Sequence, residues 1–417
     1  MQKPKGTQDI FLKEAKKWRW LSNEFIDVLK KYNFNEIITP IFESKEVFVR
    51  GVGSETDVVQ KEMFEFEDKS KRINVLRPEL TAPVVRSFIE NKMYANENLP
   101  LKFFYNGPAF RYERPQAGRY RQFNQFGIEV FGNDSLEQDI EIILLANKFI
   151  KTCKVDQLLS IEINYLISGD ARKKYEIALL DEVNKIKEIC ADCEVRKEKN
   201  ILRVLDCKID GHKYKQLPKM SKYINETDKL RFEQIVSQLK TLNVNVKINE
   251  KLVRGLDYYT GIVFEVTNVK TSQAVIAGGR YNNLVENMGG PSIPAIGFAV
   301  GWERMLILIE ENQTLKIEDN QLDVFIIPIS DKGRIITNKL MNEMRDESII
   351  VDTNWNISKL KNGFKASEKV LTKNLIIIGD ESICTNAYEI KSKVSDKIVK
   401  VKYDEIISYL KLEKGCK

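Results

Sequence analysis

The stretch Phe110-Arg-Tyr-Glu-Arg-Pro-Gln-Ala-Gly-Arg-Tyr-Arg-Gln-Phe-Asn-Gln-Phe-Gly-Ile-Glu129 decides the fold. Residues 101–111 and 121–132 are strand-like and rich in Phe and Tyr, and residues 112–120 between them are polar and basic. The pattern predicts two antiparallel strands joined by a long, flexible loop. Four arginines, Arg111, Arg114, Arg119 and Arg121, fall within this segment. Guanidinium forks match phosphate oxygens, and a neighbouring Phe face suits an adenine ring. A solvated basic loop is the plain alternative. Strand alternation argues against it, because it lets Arg111, Gln125 and Glu129 share a face with the next strand. Carboxylates and an amide among arginines suit a zwitterion held beside a polyphosphate.

Outward from this hairpin, three more segments have the same character. Upstream, Leu76-Arg-Pro-Glu-Leu-Thr-Ala82 reads as a strand end turning into a helix over Pro78 to Ile89, with Pro78 near its first turn. Arg77, Glu79 and Thr81 stand at the junction. Glu79 could hold an ammonium group, although Glu is favoured at a helix N-terminus by the dipole in any case. Downstream, Leu252-Val-Arg-Gly-Leu-Asp-Tyr-Tyr-Thr-Gly-Ile-Val-Phe-Glu265 sets Arg254 and Asp257 beside a Tyr pair. Two tyrosines alone would pass for core residues, but a buried charged pair needs a reason. Finally, Ala277-Gly-Gly-Arg-Tyr281 and Pro294-Ala-Ile-Gly-Phe-Ala-Val-Gly-Trp-Glu-Arg304 supply glycines suited to close backbone approach to a ligand, with Arg304 at a helix start.

Around these segments, residues 13–31 carry Trp18, Leu21, Phe25, Val28 and Leu29 at helical spacing. Residues 36–40 read as a short strand ended by Pro40, and 63–67 and 73–76 alternate as strands do. Residues 136–151 and 301–311 are helical, and strand-like runs return at 262–267 and 274–277. The lysine-rich, aromatic-poor region at about 167–240 reads as an inserted helical subdomain. A polar linker is expected at 313–322. Beyond it, apolar runs from Asp323, Ile349 and Asn374 alternate with helical stretches, which indicates an α/β module with a partly parallel sheet. The expected fold class is therefore α+β. Residues 1–318 form a domain built on an antiparallel sheet with the helical insertion, and residues 323–417 form an α/β domain.

The 417 residues are 43% hydrophobic and 30% charged, the composition of a globular protein, and the net charge of +6 is compatible with RNA without demanding it. No apolar run is long enough to span a bilayer, and MQKPKGTQDIF has no apolar signal core, so a cytoplasmic protein with no membrane partner is expected. The six cysteines form no disulfide framework and are read as reduced thiols. Cys190-Ala-Asp-Cys193, Cys207 and His212 approach the spacing of a zinc knuckle. Short Cys patterns misfire readily, so no metal is assigned. His212 is the one histidine, which leaves a single candidate imidazole base and excludes a His-rich metal site.

The four segments, in this order, resemble the histidyl-tRNA synthetases, a family of class II aminoacyl-tRNA synthetases. Pro40 with Phe42-Glu-Ser and Val49-Arg-Gly-Val-Gly resembles the dimer-forming motif 1, Phe110 to Glu129 resembles motif 2, and Gly297 to Arg304 resembles motif 3. Arg254-Gly-Leu-Asp-Tyr-Tyr259 and Ala277 to Tyr281 resemble segments specific to the histidine family. The similarity runs from Lys5-Gly-Thr-Gln-Asp9 into the C-terminal module, which by resemblance binds the anticodon.

The resemblance implies a homodimer that uses ATP and Mg2+ to convert L-histidine to histidyl-adenylate and transfers it to the 3′ end of tRNA(His). It implies that Glu79, Thr81 and Gln125 hold the ammonium group, that Glu129 and Tyr259 read the two ring nitrogens, and that Tyr258 and Tyr281 close the pocket. Arg111 and Arg254 would be the catalytic cations at the α-phosphate. Glu113 would lie on the adenine side, with Phe123 and Arg304 on opposite faces of that ring. Arg114, Gln116 and Arg119 are candidates for the tRNA acceptor end. Lys359, Lys361, Lys365, Lys369 and Lys373 suit phosphate contacts, or else form a solvated helix face. Two departures stand out: Asn124, where many family members have histidine, and Trp302, at a commonly aliphatic position and read as packing. The alternative is a non-catalytic regulatory paralogue of ATP phosphoribosyltransferase, which typically lacks the C-terminal module and erodes the active-site residues. A histidine or uncharged-tRNA sensor is a third reading, with no kinase-like segment to support it.

Overall fold

A computed structural model describes residues 1–207, 209–214, 216–313 and 321–413. Most of the expected linker, 314–320, lies outside the described residues. The chain forms two compact units, Met1–Leu315 and Lys316–Lys417.

The first unit is organised by an eight-stranded sheet. In spatial order its strands are Asn35–Glu36, Leu101–Phe110, Gln122–Phe131, Ala295–Gly301, Ala274–Arg280, Gly261–Asn268, Leu159–Leu166 and Val246–Ile248. The six central strands pair antiparallel. The two short edge strands pair parallel, which the expectation of an antiparallel sheet did not include. A parallel neighbour requires a long crossover, and the helical insertion is one: it leaves the sheet after Leu166 and returns at Val246.

One face of the sheet is closed by the helices Leu12–Lys31, Leu136–Thr152 and Trp302–Glu311. Alternation sends Phe126, Ile128 and Val130 into that layer, where Phe25 stacks on Phe149 at 4.0 Å and Trp302 stacks on Phe126 at 5.5 Å. Each such ring contributes roughly 1.5–3 kcal/mol by its removal from water. Trp302 is therefore a core residue. The alternate residues, among them Gln125 and Glu129, are left for the opposite face.

Helix Leu136–Thr152 begins with Ser135, whose hydroxyl accepts from the Gln138 amide at 3.2 Å. A buried ion cluster pins it to the sheet. Arg280 Nε lies 2.5 Å from Asp139 Oδ1, and Arg231, on helix Glu226–Thr241, lies 2.7 Å from Asp139 Oδ2. Arg280 thus points away from the open face while its neighbour Tyr281 points toward it.

A smaller antiparallel sheet, in the order Phe42–Ser44, Ile73–Leu76, Phe64–Glu67, is attached to this unit. The second unit has its own five-stranded sheet, ordered Val351–Thr353, Leu322–Pro328, Thr372–Ile378, Tyr388–Ser392, Ile398–Val401. Its first three strands are parallel and its last two antiparallel, so the module is α/β as expected. No described helix is long and apolar enough to cross a membrane.

Removing Arg280 leaves the buried Asp139 carboxylate with Arg231 as its remaining cation, and breaking a buried pair costs about 3–5 kcal/mol. Arg280→Met should lower the stability of the first unit by about 3 kcal/mol, read from the midpoint of its urea unfolding.

Candidate active site

The site is built on the open face of the large sheet, at a cavity of about 590 Å3. At its floor is Glu129, fully enclosed near the end of strand Gln122–Phe131. Thr81 Oγ1 donates to Glu129 Oε1 at 2.7 Å and Tyr105 Oη donates to the same oxygen at 3.1 Å. The Tyr281 hydroxyl donates to Oε2. The paired strand makes room for this carboxylate: Gly297 is in register with Glu129, and a Cβ there would lie 1.9 Å from Glu129 Oε2. Gly127 gives Tyr105 the same clearance, since a Cβ would meet the Tyr105 oxygen at 2.3 Å. Burial pushes the Glu129 carboxyl up to about 8 against the lowering effect of its three hydroxyl donors.

Glu79 sits at the turn into helix Thr81–Glu90, where its oxygens accept from the Thr81 and Ala82 amides, each at 2.8 Å. Burial raises its pKa, and those amides pull the other way. Arg77 turns away, donating to the carbonyls of Pro108 and Thr39 at 2.8 Å each. The rings of Tyr258, Tyr259 and Tyr281 pack within 4.6–6.5 Å of one another and wall the cavity beside Glu129.

The cations stand above this floor. Arg111 lies over the Phe123 ring at 5.4 Å, and its Nε donates to the Pro78 carbonyl at 2.9 Å. Arg254 lies 5.6 Å from the Tyr259 ring and pairs with Glu265. The charged neighbour expected from the sequence, Asp257, instead accepts from Asn200 Nδ2 at 2.6 Å, because the Gly255–Leu256 turn directs it toward the insertion. Arg304 donates to the carbonyls of Ala274 at 2.6 Å and Gly118 at 3.2 Å. Among the buried polar atoms of the cavity, Gln125 Oε1 and Arg254 Nε have no hydrogen-bond partner among the described residues.

The residues singled out in the sequence therefore converge. Glu79, Thr81, Arg111, Glu113, Arg119, Phe123, Gln125, Glu129, Arg254, Tyr258, Tyr259, Tyr281 and Arg304 all line one cavity. Arg114 and Gln116 do not, and lie exposed on the loop. Within that loop Gln116 and Arg119 form a bridge around Gly118, whose φ of +68° suits glycine. The Asn124 side chain bonds Asn106, on the face opposite Gln125, so the residue type at this departure does not alter the cavity wall.

Sequence reasoning missed Glu265 and Glu303. Glu303 is buried, accepts from the Asn124 amide at 3.0 Å, and is pushed up to about 7 by burial. It also missed Arg196 and Arg203, which the insertion brings to the cavity. Only Glu303, adjacent to Arg304, had a local signal.

An antiparallel sheet whose open face carries acidic and hydroxyl groups under arginines, followed by a separate α/β unit, defines a class II aminoacyl-tRNA synthetase. The family model for Histidyl-tRNA synthetase matches residues 6–305, and that for the Anticodon binding domain matches residues 323–413. The histidine–tRNA ligase of Mesoplasma florum is 53% identical over 414 residues, covering 99% of this chain and 91% of that protein. Its counterpart in Mycoplasma mycoides is 44% identical, covering 99% and 100%. The solved apo histidyl-tRNA synthetase of Staphylococcus aureus aligns with a TM-score of 0.83 at 34% identity, covering 99% of this chain and 100% of that one. The chain belongs to the histidyl-tRNA synthetase family.

Glu129 has a folded pKa above that of the unfolded chain, so its contribution to stability is complete below about 4.5 and is lost as the pH rises through about 8. The ligand-free protein should accordingly become less stable from pH 5 to about 8, and Glu129→Gln, which cannot ionise, should lose less. Thermal unfolding midpoints of both proteins across that range check the difference.

Proposed function

We propose that the chain is a histidine–tRNA ligase: it activates L-histidine with ATP to histidyl-adenylate and transfers histidine to the 3′ end of tRNA(His), releasing pyrophosphate and AMP. One observation carries the reading. The buried Glu129, the three tyrosines and the cations Arg111 and Arg254 surround a single cavity of suitable size.

Imidazole offers a donor and an acceptor at fixed positions. Glu129 takes one ring nitrogen and the Tyr259 hydroxyl the other, and an analogue lacking either group leaves a buried polar atom unpaired. The ammonium group sits between Glu79, Thr81 and Gln125, where the unpartnered Gln125 Oε1 is one acceptor. Adenine lies between Phe123 and Arg304, with Glu113 at its edge. Glu113 and Glu303 are the carboxylates on the same wall that would hold a Mg2+ ion arriving with ATP, and the ion would screen the triphosphate charge.

The nucleophile is the histidine carboxylate, already ionised at neutral pH, so activation requires no general base. Arg111 and Arg254 hold the α-phosphate in line with it and neutralise the charge that develops there. Glu265 fixes the Arg254 guanidinium in advance, while Arg254 Nε stays free to donate. Because the chemistry needs no protein imidazole, the exposed position of His212 has no cost to it.

Arg114, Gln116 and Arg119, exposed on the motif 2 loop, are proposed to meet the tRNA acceptor end. In the second unit, Lys359, Lys361, Lys365 and Lys369 are exposed along and beside helix Leu360–Glu368, near the partly exposed Trp355, and are proposed to contact the anticodon arm. Lys373 is half-buried and pairs with Asp323 at 3.0 Å, which ties it to the module's own sheet. The regulatory-paralogue reading is not favoured, since this chain has Arg254, Arg304, Tyr258 and Tyr259 at the cavity and carries the C-terminal unit.

The protein is proposed to be a cytoplasmic homodimer. Ile38, Ile41, Phe42, Phe66 and Ile73 are exposed on and beside the small sheet, with the Phe42 and Phe66 rings 5.9 Å apart. An apolar patch of this kind marks a protein–protein contact. Phe42→Asp should convert the dimer to a monomer in sedimentation velocity, whereas an unchanged dimer would place the interface elsewhere.

Histidine-dependent ATP–pyrophosphate exchange tests the activity directly. Arg254→Ala should lower the exchange rate by about 100- to 1000-fold while leaving the unfolding midpoint near that of the parent. An intact protein with no exchange for any of the twenty amino acids would overturn the proposal.

A further inference from the structure

The helical insertion contains a cluster that the aminoacylation chemistry does not use. Cys190 precedes helix Ala191–Lys199 and Cys193 stands in its first turn. Cys207 follows the 3-10 segment Ile201–Asp206, and Asp210 comes three residues later. Their three sulfur atoms and one carboxylate oxygen all lie within 4.8 Å of one another. We propose that Cys190, Cys193, Cys207 and Asp210 bind one Zn2+ ion through three thiolates and one carboxylate.

The spacing is that of two ligand pairs, each separated by two residues, which lets two turns converge on one tetrahedral ion. The distances agree. Cys190 Sγ and Cys207 Sγ are 3.7 Å apart. Two thiolates each about 2.3 Å from a tetrahedral zinc stand about 3.8 Å apart, whereas a disulfide needs about 2.05 Å. Cys193, Cys207 and Asp210 are 0, 7 and 2% exposed, and a carboxylate so enclosed beside thiols requires a compensating positive charge. Lys213, 3.2 Å from Asp210 Oδ1, supplies one such charge from the rim, and the thiolates of a bound site would add negative charge that it does not cover.

The surroundings orient these groups as ligands. The Asp210 amide donates to Cys207 Sγ at 3.2 Å, and the Cys190 amide donates to Asp210 Oδ2 at 2.6 Å. Such outer bonds set the direction of metal ligands. Soft thiolates in a tetrahedral arrangement select zinc over magnesium or calcium. His212, the fourth ligand that spacing alone would offer, is exposed, with its Nδ1 3.1 Å from the Ile209 carbonyl. Asp210 takes its place because the turn after Cys207 carries it inward.

The ion would tie helix Ala191–Lys199 to the segment bearing Arg203. Arg203 donates to the Gly255 carbonyl at 3.0 Å, next to Arg254, and Asn200 donates to Asp257. The proposed ion therefore braces the insertion's side of the cavity and takes no part in the chemistry.

The full-length chain, purified under reducing conditions without chelator and dialysed against dilute zinc, should contain about one zinc per chain by elemental mass spectrometry. Mercurial modification of the thiols should release it. Cobalt substitution should give the intense visible and sulfur-to-metal bands of a tetrahedral thiolate site. Cys193→Ser and Cys207→Ser should each weaken zinc binding about tenfold or more, while Cys384→Ser, an exposed thiol of the second unit, should leave it unchanged. Absence of zinc from the dialysed parent protein, a Cys190–Cys207 disulfide in the reduced preparation, or zinc undiminished in both cysteine variants would each overturn the proposal. If a variant does not fold, the parent's zinc content and cobalt spectrum decide. None of these readouts depends on ligase activity, so failure here leaves the functional proposal standing.

Discussion

A carboxylate buried in the middle of a sheet is the constraint around which this protein is arranged. Glu129 cannot be left without partners, because an unpaired buried carboxylate costs several kcal/mol and shifts its own pKa to escape the charge. Three hydroxyls from three different elements converge to meet that need: Thr81 from a helix start, Tyr105 from one neighbouring strand, and Tyr281 from the end of another. The partner strand gives up a side chain at Gly297 so that the carboxylate fits. Satisfying one polar group therefore locks the helix start and the hairpin strands to the residue that follows strand Ala274–Arg280, and Arg111 directly follows one of those hairpin strands.

The opposite face of the sheet provides the stiffness that this arrangement needs. Phe25, Phe126, Phe149 and Trp302 form a continuous aromatic layer under the strand that carries Glu129 and Gln125. The ion cluster of Arg280, Asp139 and Arg231 ties helices Leu136–Thr152 and Glu226–Thr241 to the end of the central strand Ala274–Arg280, next to Tyr281. Positioning of this kind is what an in-line attack by an already ionised nucleophile demands, since catalysis then rests on geometry and charge placement. Packing on one face and chemistry on the other follow from the two-residue period of a strand.

Much of this was legible in the residues. The hairpin over 101–131 reads from its alternation, and the segregation of Phe126 and Ile128 from Gln125 and Glu129 is the same alternation applied to one strand. The Gly-Gly before Arg280 and Gly297 pointed to close approach, and close approach is what they permit, although the neighbour at Gly297 is Glu129 and no ligand is needed to explain it. Other features could not be read. The partner of Arg254 is Glu265, eleven residues away and across a turn, whereas the nearer Asp257 serves the insertion. The Gln116–Arg119 bridge lies in the motif 2 loop, which composition alone describes only as polar and basic.

The sequence by itself determined the hairpin strands over 101–131, the helices near 13–31, 136–151 and 301–311, and which charged and aromatic side chains share a face of that hairpin. These follow from local periodicity and the stiffness of the backbone, whereas the sheet strands Leu159–Leu166 and Ala295–Gly301 were not legible in it. Only the tertiary structure decided the pairing of distant groups: Glu129 with Thr81 and Tyr281, Arg280 with Asp139, and Asp210 in place of His212 beside three thiols. These choices join segments from roughly twenty to 150 residues apart, and they are settled by the high cost of an unsatisfied polar group in the interior, a penalty that no local pattern records.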